Sequence, residues 1–211
     1  MLLIKNFIKK YGSVTILEIT DLQISPGIFW IKGANGSGKS TLLKTLAGII
    51  SFEGEILLNE NISVKKHPVT YRKLVNFAEA EPVFPEFLTG LEMIKLFASA
   101  KNVPVKNSNY YIESMGMKEY ISDALGTYSS GMLKKLSLVL AFLGKPEIIL
   151  LDEPLITIDT DSLKILYQWI AEKNKKENVS FFLSSHQQLE MDYINLTGEL
   201  MVENRTTKLI A

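Results

Sequence analysis

Gly33-Ala34-Asn35-Gly36-Ser37-Gly38-Lys39-Ser40 decides how this chain is read. Gly33 and Gly38 enclose four residues and are followed by lysine and serine, the pattern of a phosphate-cradling loop. An apolar run, Ile28-Phe29-Trp30-Ile31, leads into the loop and reads as a buried strand. Ser40 to Ile49 then carries a helical pattern, with Leu42, Leu43, Leu46 and Ile49 available for one face. Strand, glycine loop and helix are the context this motif requires. The backbone N–H groups of such a loop turn inward toward phosphate oxygens, and the helix N-terminus adds the positive end of its dipole. The expected ligand is a nucleoside triphosphate with Mg²⁺.

The chain has 211 residues, 46% of them hydrophobic, enough for one substantial core with a small subdomain. Lys+Arg and Asp+Glu are both 23, so the balanced charge gives no reason to expect nucleic acid as a partner. The absence of cysteine excludes a disulfide framework and cysteine-based zinc sites. The start, with Lys5, Lys9 and Lys10 and no long apolar centre, reads as neither a signal peptide nor an anchor. No apolar run reaches the roughly 18 residues of a bilayer span. A soluble, cytoplasmic protein is expected.

The first sixty or so residues read mostly as strands: Leu2-Leu3-Ile4, Val14-Thr15-Ile16-Leu17 and Gly54-Glu55-Ile56-Leu57-Leu58. Lys73 to Phe77 is a further expected strand. From about Leu88 to Leu125 the texture turns helical, through Leu91, Ile94, Leu96 and Phe97, then Tyr110-Tyr111-Ile112 with Met115, then Tyr120-Ile121. Ser129 to Gly144 reads as a strong helix. Strand Glu147–Leu151, helix Asp161–Lys175, strand Val179–Ser184, a short helix and a strand-like tail follow. Strands alternating with helices imply a largely parallel sheet, here with a helical insertion.

Three further features bear chemistry. In Glu147-Ile148-Ile149-Leu150-Leu151-Asp152-Glu153-Pro154, four apolar residues read as a strand buried on both faces, and two carboxylates follow at its carboxyl end. Asp152 is placed to hold Mg²⁺ together with the Ser40 hydroxyl, and Glu153 to orient or polarise an attacking water. Tyr128-Ser129-Ser130-Gly131-Met132 opens the next-to-last long helix. Its serines read first as a helix cap, a role compatible with anion binding at the same N-terminus. His186 follows the apolar run Phe181-Phe182-Leu183, where it is either structural or a contact to a γ-phosphate.

Taken in order, these pieces resemble the nucleotide-binding subunit of ABC transporters over roughly Leu2 to Leu189, and the Tyr-Ser-x-Gly-Met form of residues 128–132 resembles that of small, separately encoded bacterial exporter ATPases. The resemblance rests on GANGSGKST, on Tyr11 in Lys10-Tyr11-Gly12, on the signature-like Tyr128 to Met132 with its spacing to LLDEP, on Asp159 in the D-loop position and on His186 in that of the switch histidine. It implies the α/β P-loop NTPase fold of ABC ATPases. A mainly parallel core sheet is then joined by an antiparallel β subdomain and a helical subdomain at about 88–145, all within one domain, 1–211. ATP and Mg²⁺ are the implied ligands. Implied nucleotide contacts are Tyr11 on adenine, Asn35, Gly36, Ser37, Gly38, Lys39, Ser40 and Thr41 in the loop, and Ser129, Gly131 and Asp159. Lys39, Glu153 and His186 are the implied catalytic group, and Ser40 with Asp152 the implied metal ligands.

The same resemblance implies that such subunits work in pairs, with ATP held between the phosphate loop of one and the signature helix of the other. The second copy is identical or different. Glu79 to Leu91 is the implied grip on a separate transmembrane permease at the inner face of the membrane, where Phe84 and Phe87 suit a docking groove or, equally, the core. The chain departs from the family at Ala80, where a glutamine usually contacts Mg²⁺ and the attacking water. It departs again at Tyr128, Ser130 and Met132, and in the run Leu155 to Thr160. An ATP-hydrolysing exporter motor is the expectation. A hydrolysis-poor, ATP-binding regulatory subunit is the alternative that Ala80 raises.

Overall fold

The computed structural model of the chain describes residues 1–185 and 193–210. In chain order its elements are β1 (Leu2–Tyr11), β2 (Val14–Ile24), β3 (Ile28–Lys32), α1 (Lys39–Leu46), β4 (Glu53–Leu58), β5 (Ile62–Ser63), α2 (Pro68–Leu74), β6 (Val75–Ala78), α3 (Gly90–Ala100) and α4 (Asn109–Ser114). Then come α5 (Ser130–Phe142), β7 (Ile148–Asp152), α6 (Thr160–Glu177), β8 (Ser180–Ser184), β9 (Gly198–Glu203) and β10 (Thr206–Ile210). Among these residues no helix is long and apolar enough to cross a membrane.

The strands form two sheets. A four-stranded antiparallel sheet has the order β2-β1-β4-β5, and a six-stranded sheet has the order β10-β9-β3-β8-β7-β6. In the larger sheet β3, β6, β7, β8 and β9 run parallel, and β10 pairs antiparallel with β9. Alternation along the parallel strands sends side chains to two cores. Ile149, Leu151, Phe181 and Leu183 join the core under α5 and α6. Ile148, Leu150 and Phe182 join the core shared with α1 and the antiparallel sheet. Every residue of β7 and β8 is buried, so this sheet has no wet face along its centre and the strands read as continuous apolar runs. The architecture is the expected α/β one.

Register decides where chemistry can sit. Asp152 on β7 pairs with Ser184 on β8, and Ser184 pairs with Ile31 on β3. The carboxyl ends of three adjacent strands therefore lie in one row, with the Gly33–Ser40 loop leaving β3 just beyond it. Open parallel sheets place ligand sites at this edge.

Several expected boundaries shift. Lys73 and Leu74 belong to α2 rather than to a strand, with Pro68 in the first turn, where a missing N–H costs nothing. The Tyr71 hydroxyl, fully buried, donates to Leu46 O (2.8 Å) and so satisfies a carbonyl at the end of α1. Tyr120-Ile121 lies in turns, not a helix. There Tyr128 Oη donates to Tyr120 O (2.7 Å), and the two rings meet edge to face. The tail is a hairpin of two strands. The expected short helix between β8 and β9 lies largely outside the described residues.

The end of α5 is held by a buried side chain on the sheet. Asn76 Nδ2 on β6 donates to Ala141 O (2.6 Å) and Leu143 O (2.8 Å). Leaving a buried carbonyl without a donor costs about 1–3 kcal/mol. Asn76→Leu is expected to lower the unfolding free energy by about 2 kcal/mol in urea titrations, and a loss below about 0.5 kcal/mol contradicts this reading of α5.

Candidate functional site

The Gly33–Ser40 loop needs glycine for stated reasons at two positions. Gly38, at φ 109°, caps α1 in a left-handed conformation. A Cβ on Gly33 would lie 2.3 Å from Val202 O and 2.6 Å from Ser37 Oγ, so any larger residue displaces the loop. The first turn of α1 presents backbone N–H groups outward, as helix N-termini do. A cleft of about 280 Å³ opens over this turn. Asn35, Gly36, Gly38, Lys39, Ser40 and Thr41 line it, together with Tyr11, Ile16 and Glu153. Tyr11, at the end of β1, is half exposed. Ser37 does not line the cleft. Its hydroxyl is buried against Gly33 with no hydrogen-bond partner among the described residues.

Lys39 is almost wholly buried, and its ammonium donates to Gly33 O (2.9 Å) and Ala34 O (3.1 Å). Burial pulls its pKa down, while the nearby Glu153 and Asp152 carboxylates pull it up. The loop carbonyls thus hold the lysine head at the cleft floor.

Opposite stand the two carboxylates. Asp152 Oδ1 accepts from Ser184 Oγ (2.6 Å), and the same hydroxyl accepts from Glu153 N (3.0 Å). Ser184 is fully buried, so one hydroxyl from β8 fixes both the Asp152 side chain and the Glu153 backbone. Glu153 sits at φ 43°, a left-handed conformation that an L-residue adopts at a cost of about 1–3 kcal/mol. Its carboxylate lines the cleft beside Lys39 and Ser40.

The remaining sequence candidates lie elsewhere. Ser129 caps α5, its Oγ accepting from Met132 N (3.3 Å), and is exposed. A Cβ on Gly131 would fall 2.7 Å from Thr157 O, so the glycine admits the loop that follows Pro154. Neither residue lines the cleft of its own chain. Asp159 caps α6, accepting from Ser162 N and Ser162 Oγ (both 2.8 Å), and pairs with Lys135 of α5 (2.8 Å). These bonds hold its carboxyl well below the usual carboxylate range, led by the bond from Lys135. Its carboxylate is committed to α5 and α6 of the same chain. His186 lies outside the described residues.

Sequence reasoning missed two residues of the site. Ser184 closes an apolar strand, and only its register opposite Asp152 gives it a role. Lys134 is fully buried and donates to Glu79 O (2.8 Å), Ala80 O (3.2 Å) and Asp152 O (2.9 Å). Burial pushes its ammonium down to about 8, against the opposing pull of Asp152, Glu153 and Glu79. A signal was present: Lys134 shares a helix face with Leu138 and Ala141, both buried.

The fold and site have relatives. Residues 17–156 match the family model described as ABC transporter. The chain is 30% identical over 194 residues to ABC transporter A family member 8 of Dictyostelium discoideum, covering 90% of this chain and 23% of that protein. It is 29% identical over 203 residues to the zinc uptake system ATP-binding protein ZurA of Listeria monocytogenes, covering 91% of this chain and 79% of that one. It thus spans under a quarter of the first relative and most of the second. A solved dimeric ATP-binding cassette in a post-hydrolysis state, bound to ADP and Pi, superposes with a TM-score of 0.85 at 19% identity, covering 99% of this chain and 97% of that one. The motif order, the cleft over α1 and the match across residues 17–156 agree: the chain belongs to the ABC transporter family, with the fold of its ATP-binding cassettes.

Proposed function

We propose that the chain binds and hydrolyses ATP as the motor subunit of a membrane transporter. In this reading two copies, or two related chains, close around nucleotide. The observation that carries it is the convergence of Lys39, Ser40 and Glu153 on one cleft, with Asp152 locked beneath by Ser184.

The residues take their roles from this geometry. The loop N–H groups and Lys39 receive the phosphates, and Tyr11 at the cleft edge receives the base. Among the described residues no cluster of three or more acidic or histidine side chains gathers for a metal. A hard cation held here takes few protein oxygens and completes its shell with phosphate and water, which suits Mg²⁺. Ser40 Oγ and Asp152 are the oxygen donors that would hold it, and it would neutralise charge on the phosphate oxygens. Glu153 orients water as the base. Its backbone strain, held by Ser184, aims the carboxylate at the cleft. His186 is assigned to the γ-phosphate from the motif order alone.

Ser129 and Gly131, exposed or half-buried at the start of α5 and away from their own chain's cleft, suit contact with nucleotide on a second chain. Asp159 lies in the segment that joins the two halves, where its part is to fix α5 to α6. Val83 and Phe87, 88% and 81% exposed, support residues 79–91 as the surface for a permease at the inner face of the membrane. Export is the direction favoured by the Tyr-Ser-x-Gly-Met form of the signature. A hydrolysis-poor regulatory subunit is favoured only by Ala80, which offers no side-chain oxygen. The neighbouring Glu79 carboxylate is paired with Lys44 of α1.

Mg²⁺-dependent ATP turnover is expected from the purified chain and its co-purified membrane partner. Tight ATP binding without turnover in that complex selects the regulatory reading. Glu153→Gln is expected to cut turnover by about 100-fold or more and to trap a dimer in ATP, read by light scattering. Turnover within about threefold of native removes Glu153 from its role. Ser184→Ala is expected to lower kcat by about 10-fold with little change in KM for ATP, and Ser184→Thr to restore it. An unchanged kcat in Ser184→Ala contradicts the two-bond lock.

A further inference from the structure

The proposed mechanism makes no use of Lys134, yet it is among the largest fully buried side chains of the described residues. An ammonium out of water is costly unless its donors are satisfied. Lys134 has three N–H donors, and the structure gives it three acceptors: Glu79 O, Ala80 O and Asp152 O, at 2.8, 3.2 and 2.9 Å. The acceptors belong to two parts of the site, and the donor to a third. Asp152 ends β7 as the metal-ligand candidate, Glu79 and Ala80 open the loop at residues 79–91, and Lys134 itself rides on α5, whose first turn carries Ser129 and Gly131. Glu79 is held a second time, through its carboxylate, by Lys44 of α1. That pair is partly exposed and screened by solvent, so it is subordinate to the buried contact.

We propose that Lys134 is the positioning residue that couples residues 79–91 to the nucleotide site, by binding the backbone carbonyls at the root of that loop together with the carbonyl of Asp152. The proposal rests on the ATP reading above and says how the loop is moved. The clamp works on carbonyls, so the side chain at position 80 is immaterial to it. Alanine there removes a side-chain contact but leaves the mechanical link. Displacing any one carbonyl leaves a buried charge short of a partner, so α5, the loop root and the Asp152 end of β7 shift together. Nucleotide drawing on the first turn of α5 thereby reaches both the permease-facing loop and the chain's own carboxylates.

Hydrogen exchange of the full chain, with and without Mg-ATP, tests this. In the native chain, exchange is expected to slow at residues 33–46 and to change at residues 79–91. In Lys134→Met the response at 33–46 is expected to persist while the response at 79–91 falls roughly fivefold or more. An undiminished loop response in Lys134→Met overturns the proposal alone. No response at 33–46 in the native chain overturns the ATP reading and the proposal with it. Should Lys134→Met fail to fold, Ala80→Gln decides. A loop response within about twofold of native supports the backbone link, and a response raised roughly fivefold or more shows that the side chain at 80 carries the coupling.

Discussion

Burial of β7 and β8 on both faces is the constraint on which the rest of this structure depends. A strand with no wet face has nowhere to put polar groups except at its ends. Every side chain from Ile148 to Leu151 and from Phe181 to Leu183 goes into one of two cores. The first polar side chains past those runs, Asp152 and Ser184, then meet at the carboxyl edge in register and bond at 2.6 Å. A buried carboxylate is stable only with donors, and the neighbouring strand supplies one. The apolar sequence of two strands thus fixes the position of a carboxylate to within the geometry of one hydrogen bond.

Two buried cations work by the same principle at the phosphate loop and at α5. Lys39 and Lys134 are both buried, and both donate to main-chain carbonyls. Each ties segments that burial of apolar side chains alone would leave independent. Lys39 ties the loop to the start of α1, and Lys134 ties α5 to β7 and to the segment after β6. The site is therefore rigid in its floor and open at its rim, where Tyr11 is exposed. The signature residues are turned away from it. This arrangement suits the proposed site between two chains, in which each chain supplies a floor and the second chain part of the cover.

The parts legible in the sequence were those set by local pattern. The Gly33–Ser40 loop, the apolar β3 and β7 runs and the capped start of α5 all follow from short-range rules. The place of the loop and of Glu153 in one cleft followed from strand order at a parallel edge. The parts that were not legible depend on register or on long-range contact. Ser184 is one more small polar residue until β8 is set against β7. Lys134 belongs by residue type to the surface, and only the carbonyls of Glu79, Ala80 and Asp152, distant in sequence, allow it inside. Helix α2 was missed because its seven residues are held by Pro68 at one end and by the buried Tyr71 at the other, not by a sustained apolar stripe. The resemblance implies a nucleotide contact for Asp159, and within its own chain its partners are the N-terminus of α6 and Lys135.

The central claim is that a complete site exists only between two chains. Turnover of ATP per chain, measured across a dilution series of the purified protein, tests it most directly. The account predicts that turnover per chain falls as the chain is diluted below its pairing concentration and rises to a plateau above it. Turnover per chain that stays constant on dilution, with the protein monomeric throughout, contradicts it.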